Sequence, residues 1–302
     1  MNDQTDRDRA LAGLGFGLAA YTIWGLLPAF LKLLVAVPPV EILAHRIVWS
    51  VLLLGAVVTM VRGWPRAMAV LRAPRLLGLL VLTALLIGGN WLLYIWAVNS
   101  AHVIETSLGY FINPLLNVAL GVVVLGERLG RAQCVSVALA GAGVLYLGLA
   151  QGGVPWISLG LAISFSLYGL VRKMAPVDPL TGLFAETLLL APAALVLLLT
   201  LGAQGRGSFG ADGATDLLLL ASAALTAGPL LMFAAAGKRL RYATIGLLQY
   251  IAPTMQFLLA VLLFREPLSP AHLVAFPLIW TGLAIFALDA LAKSRAPVVV
   301  RD

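Results

Sequence analysis

Charge is what this sequence has least of. Only 11% of its 302 residues are Asp, Glu, Lys or Arg, 61% are hydrophobic, and the mean hydropathy is +1.00. Soluble domains run at about 25% charged. A soluble fold of this length has too little interior to hide so much apolar surface, so a water-soluble enzyme is excluded. Polar–apolar alternation is also missing. The apolar runs are continuous, which excludes a porin-type barrel. One cysteine, Cys134, leaves no internal disulfide and no cysteine-based metal site. It lies within an apolar run, where packing is the expected role. No glycine-rich phosphate loop ending in Lys-Ser or Lys-Thr occurs. The net charge of +7 is spread singly or in pairs between apolar runs, which points away from nucleic acid. The sequence calls for no cofactor or metal.

What is present is length enough to cross a bilayer ten times. A spanning helix needs about 20 mostly apolar residues. Ten segments qualify: 11–35, 40–61, 76–98, 103–125, 131–149, 154–172, 179–201, 216–236, 243–264 and 270–291. The first run is longer than a signal-peptide core and has no small-residue cleavage site after it, so it reads as an uncleaved first span. The linker 202–215 is rich in Gly and polar residues and reads as a surface loop. With the N-terminus placed inside, 16 Lys and Arg fall on inside segments, three outside and one, Arg46, within a span. The apolar spans predict an all-α integral membrane protein, and the positive-inside rule places both termini in the cytoplasm. Residues 1–10 and 292–302 are tails.

The two halves repeat. A shift of 139 residues lays Gly89 on Gly228, Ala97 on Ala236, Ile112 on Ile251, Pro114 on Pro253 and Glu127 on Glu266. Each half, 11–150 and 154–291, holds five spans. Five is odd, so the second copy crosses the membrane in the opposite sense. Inverted repeats of this kind are a recurring transporter plan. The strings AAYTIWGLLPAFLKL (19–33), EILAHRIVWS (41–50), YGLVRK (168–173) and LQYIAPTMQFLLAV (248–261), with the long run 88–129, resemble the RarD subgroup of the drug/metabolite transporter superfamily, with its paired EamA domains. The resemblance implies the EamA fold of two inverted five-helix repeats and a permease of the cytoplasmic membrane. Its name points to chloramphenicol-type drugs. It carries no catalytic motif.

Polar side chains within spans are costly, and they turn to the bundle interior or to a water-filled cavity. Thr106, Tyr110, Asn113 and Asn117 share one face of span 4. Gln249 and Gln256, seven apart, share one face of span 9, and the 139-residue shift lays Tyr110 on Gln249 and Asn117 on Gln256. Pro114 and Pro253 stand mid-stripe, where proline frees a backbone carbonyl and kinks the helix. Span 3 adds Asn90 and Tyr94, and span 1 adds Tyr21 and Trp24, well inside their spans. Tyr250 fits either a solute site or an interfacial belt. Rings with a few hydrogen-bonding groups suit an amphipathic or cyclic organic solute. The same amides are equally suited to fasten helix to helix.

Charged and titratable groups within spans are few: Glu41, His45 and Arg46 in span 2, Glu105 opening span 4, and Glu186 in span 7. A shift of 140 lays Arg46 on Glu186, so each half holds one charge at equivalent depth on opposite sides of the membrane. Proton coupling, a gating ion pair, or a structural pair would each account for them. Gly13 and Gly17 form a small-residue pair for close helix approach. Spans 5 and 10 have few polar residues and are expected at the periphery. The expected function is a secondary transporter of a small organic solute or drug by alternating access at a midplane cavity, and the resemblance implies export as its direction. A membrane-embedded enzyme on a lipid-linked substrate, or a regulator that transports nothing, remain the alternatives. Small solute and lipid are the expected partners; the sequence leaves the oligomeric state open.

Overall fold

The structure, a computed structural model, describes residues 3–126, 129–237, 239–240 and 248–295. They form helices α1 (Asp3–Lys32), α2 (Pro39–Met60), α3 (Trp64–Leu71), α4 (Pro74–Asn99), α5 (Val103–Leu125), α6 (Arg131–Gln151), α7 (Trp156–Met174), α8 (Pro179–Ala203), α9 (Gly213–Gly237), α10 (Ile251–Leu258) and α11 (Pro270–Arg295). Among the described residues nine of these are long and apolar enough to cross a membrane, and α10 with the π-helical turn Leu259–Leu263 adds a shorter apolar helix. The first part of the predicted span 243–264, up to residue 247, lies outside the described residues.

The sequence sets the boundaries locally. Pro39, Pro74, Pro179 and Pro270 stand in first turns, where a helix needs no N–H and proline's fixed φ is already helical. Gly126 and Gly152 close α5 and α6 at φ of 67° and 69°, a region that costs glycine little. Asp178 caps α8 by accepting from Thr181 N at 3.0 Å. Burial works against its charge, but the hydrogen bonds from Thr181 outweigh that and hold the carboxyl below its ordinary range. One helix was not expected: α3, which follows α2 in the chain, is a short amphipathic piece that buries Ala67 and Val70 and packs on α8 and α4.

Short connections make successive long helices antiparallel. The bundle thus has a near end, where α1 begins, and a far end, where α1 stops. Helices α2, α4, α5, α7, α8 and α9 pack around the centre, α2 against α8 and α9, α4 against α7 and α8, and α5 against α7. As expected from their composition, α6 and α11 lie to one side and pack chiefly on each other. Gly143 and Gly282 let them approach: a Cβ at Gly282 would stand 2.7 Å from Ser136 O, and one at Gly143 would stand 3.0 Å from Ala275 O. On α1, Gly13 and Gly17 face the end of α9 and the start of the next segment, meeting Arg239, Leu240 and Leu248. Large apolar side chains such as Leu52, Val123, Leu149, Leu199 and Leu262 point outward. Apolar surface facing outward around a hydrogen-bonded helical bundle is the condition for lying in lipid: this is a multi-pass membrane protein.

Candidate functional site

Polar groups gather where α4, α5 and α7 meet. Asn90 Nδ2 donates to Leu161 O at 3.0 Å and to Ser164 Oγ at 2.9 Å. Tyr110 OH donates to Asn90 Oδ1 at 3.5 Å. Ser166 Oγ donates to Asn113 Oδ1 at 2.9 Å, while Asn113 Nδ2 is buried without a hydrogen-bond partner. Gly109 allows this closeness, since a Cβ there would stand 2.8 Å from Ser158 O on α7. Tyr94 packs on Tyr110 with ring centroids 5.7 Å apart, and its buried hydroxyl has no partner.

Arg46 reaches this knot from α2. Its guanidinium lies over the Trp91 ring, 4.9 Å from the centroid, and its Nε donates to Thr226 Oγ1 on α9 at 2.5 Å. The side chain is 5% exposed, and among the described residues no carboxylate pairs with it.

The charge that the repeat lays on Arg46 is handled differently. Glu186 on α8 accepts from Thr83 Oγ1 at 2.7 Å and from Tyr168 OH at 3.2 Å, and it faces Arg172 Nε at 3.6 Å. The two charges therefore do not pair with each other. Each instead docks on a threonine of the opposite half: Arg46 on Thr226, Glu186 on Thr83. Between them runs a ladder of four rings. Tyr94 meets Tyr110 at 5.7 Å, Tyr110 meets Phe165 edge-on at 6.1 Å, and Phe165 meets Tyr168 at 6.0 Å.

The remaining predicted residues fall elsewhere. Tyr21 and Trp24 pack with Phe233 in a separate apolar cluster that includes Leu248 and Ala252. Gln256 joins them, its Nε2 donating to Trp24 O at 3.1 Å, with Oε1 buried and unpartnered. Gln249 is half-buried. Tyr250 lines a shallow apolar cleft of about 320 Å³ with Phe111, Thr254 and Trp280. Two expectations need correcting. Asn117 is exposed and stands apart from the knot, because the neighbours that cover the first turns of α5 do not extend to its last. Pro253 does not kink a continuous helix. It stands third in α10, after the turn at Gln249 and Tyr250, a first-turn position where proline breaks no helical bond. Pro114 does lie inside α5, and it is buried.

At the far end, Glu41 accepts from Ser208 N at 2.6 Å and from Ser208 Oγ at 2.9 Å, with His45 Nε2 4.0 Å away. His45 Nδ1 accepts from Trp49 Nε1, and its ring stacks on Phe209. Glu266 accepts from Val103 N and Ile104 N, both at 2.9 Å, capping α5. Glu105 is half-buried, and its backbone oxygen accepts from Ser158 Oγ. Glu127, the repeat partner of Glu266, lies outside the described residues. Sequence reasoning missed Thr83, Thr226, Ser164 and Ser166, whose hydroxyls sit mid-helix like any other small residue. The one signal was their position on helices that already carried a charge or an amide.

Comparison with known proteins fixes the family. Residues 11–149 match the EamA-like transporter family. The RarD protein of Streptomyces exfoliatus is 50% identical over 284 residues, covering 94% of this chain and 90% of that one. The chain belongs to the EamA-like transporters. RarD of Escherichia coli is 44% identical over 291 residues, covering 96% of this transporter and 98% of its relative. A crystal structure at 24% sequence identity superposes with a TM-score of 0.59 over 94% of this chain and 99% of its own, a likeness of fold alone.

Proposed function

We propose that this EamA-like transporter is a secondary transporter that moves a small organic solute across the cytoplasmic membrane by alternating access, with export as its working direction and both termini in the cytoplasm. The observation that carries this reading is the ring ladder Tyr94–Tyr110–Phe165–Tyr168 with one buried charge at each end. Rings give a planar or amphipathic solute an apolar track. Asn90, Asn113 and Tyr94 supply hydrogen bonds along it. The amides do two jobs at once. Asn113 and Gln256 each spend one end on a neighbouring helix and keep the other end unpaired. An unpaired buried amide costs about 1–3 kcal/mol, a cost that a solute hydrogen bond would recover. The threonine contacts cross between the halves, so a change in how the halves meet moves both charges.

Reconstitution into proteoliposomes tests the reading. Flux is measured for a solute panel that includes amphenicols and amino acids. Protein-dependent flux of at least one solute is expected, and Asn90→Ala with Asn113→Ala should abolish it while leaving the amount of folded protein unchanged. Absence of protein-dependent flux across the whole panel, or a double variant as active as the parent, would refute the proposal.

A further inference from the structure

Glu186 shows how this protein treats a buried charge that it keeps for itself: a cation and two hydroxyls surround the carboxylate. Arg46 is treated otherwise. It is buried too, yet among the described residues it holds one threonine hydroxyl and one indole face and pairs with no carboxylate. A ring face attracts a cation weakly compared with a carboxylate in the same low-dielectric setting. A guanidinium cannot escape by deprotonation. Evolution of a buried cation without an anion makes sense when the anion arrives from outside.

The geometry of the fork agrees. Nε is taken by Thr226, which leaves Nη1 and Nη2, the end-on pair that meets the two oxygens of a planar carboxylate side by side. Tyr94, in electrostatic reach of Arg46, adds a buried hydroxyl with no partner. Tyr94 and Tyr110 begin the ring ladder at this point. A single cation matches a single negative charge. A phosphate dianion would bring twice that charge to the same lone guanidinium.

We infer that Arg46 is the recognition residue for an organic carboxylate: its fork holds the solute's carboxylate, Tyr94 donates to the same group, and the rings of Trp91, Tyr94 and Tyr110 hold an apolar, planar body behind it. This rests on the transporter reading and narrows it to a class of solute. Glu186, already neutralised by Arg172, stays with the protein at the other end of the ladder.

The test uses matched acids and amides on the purified full-length protein in detergent: benzoate, phenylacetate and 3-phenylpropionate against benzamide, phenylacetamide and 3-phenylpropionamide. The thermal unfolding midpoint is read at constant ionic strength, because a compound that binds the folded form raises it. At least one acid should raise the midpoint while its amide does not. The rise should vanish in Arg46→Gln and shrink in Arg46→Lys, which keeps the charge and loses the fork. Sodium phosphate should leave the midpoint unmoved. Acids no better than amides in every pair overturn the inference, and that comparison needs no variant to fold. An acid-dependent rise that persists in Arg46→Gln overturns it too. An equal rise with phosphate makes the site one for inorganic anions and rejects the planar body. Transport failure reads separately: flux of neutral solutes without any acid effect removes only the carboxylate claim. An acid effect without flux of any solute removes only the transport claim.

Discussion

Arg172 and Glu186 form the one carboxylate–guanidinium pair among the described residues. Glu186 is fully buried, and the pair is held by Thr83 and Tyr168 as well as by charge. Breaking such a pair from one side leaves an uncompensated charge, at a cost of about 3–5 kcal/mol. Glu186→Ala should therefore lower the unfolding midpoint strongly. Glu186→Ala with Arg172→Ala should recover part of that loss, because the orphan charge goes with its partner. Gly182 gives an independent route to the same contact. A Cβ there would run into the Arg172 guanidinium, so Gly182→Ala should push Arg172 off Glu186 and reproduce part of the Glu186→Ala loss. Calorimetry or a thermal-shift series on the parent, Glu186→Ala, Arg172→Ala, their double variant and Gly182→Ala decides it. Additive single-variant losses in the double variant would show that the two charges are not coupled.

Helices were the most legible level of this molecule. Continuous apolar runs locate the spans because hydropathy is a local signal, needing no tertiary partner. The amphipathic helix Trp64–Leu71 was hidden by the four arginines in its neighbourhood, at 62, 66, 72 and 75, which read as a loop. Spacing places Thr106, Tyr110, Asn113 and Asn117 on one face of α5, but a face says nothing about where its neighbours stop. Hence Thr106 and Asn113 are buried and Asn117 is not. A shift of 140 lays Arg46 on Glu186. Their different partners were not visible in the sequence, since Thr83 and Thr226 lie on other helices and carry no distinguishing pattern. The peripheral pair α6 and α11 offers a test of packing as such. Gly282→Ala would press a methyl group against Ser136 O, a backbone atom that cannot swing aside. Overpacking of this kind costs about 1–3 kcal/mol. The expected outcome is a lower unfolding midpoint with the flux per folded molecule unchanged, because neither helix carries a residue of the ladder. Loss of flux at normal stability would place α6 and α11 within the moving parts.

At the scale of the whole molecule, two carboxylates cross between the halves at the far end. Glu41, on α2, holds the backbone and side chain of Ser208 in the loop before α9. Glu266, after α10, holds the first two N–H groups of α5. Both oxygens are in use at each site, and both sites join first-half to second-half segments. Such contacts must open if solute is to leave by that end. In the proposed orientation the far end faces outside, so an impermeant thiol reagent added to intact cells approaches from there. Tyr94→Cys, in a Cys134→Ser background, places a reporter inside the knot. Adding Glu41→Gln and Glu266→Gln weakens two charge-assisted ties at once, each worth about 1.5–3 kcal/mol. Even 1–2 kcal/mol of lost closure shifts an open–closed ratio by roughly five- to thirtyfold. The labelling rate at Tyr94→Cys from outside should rise by that order, while the rate in inverted vesicles, which present the near end, should not rise. Equal acceleration from both sides would mean that the two carboxylates hold the bundle together rather than close one of its ends.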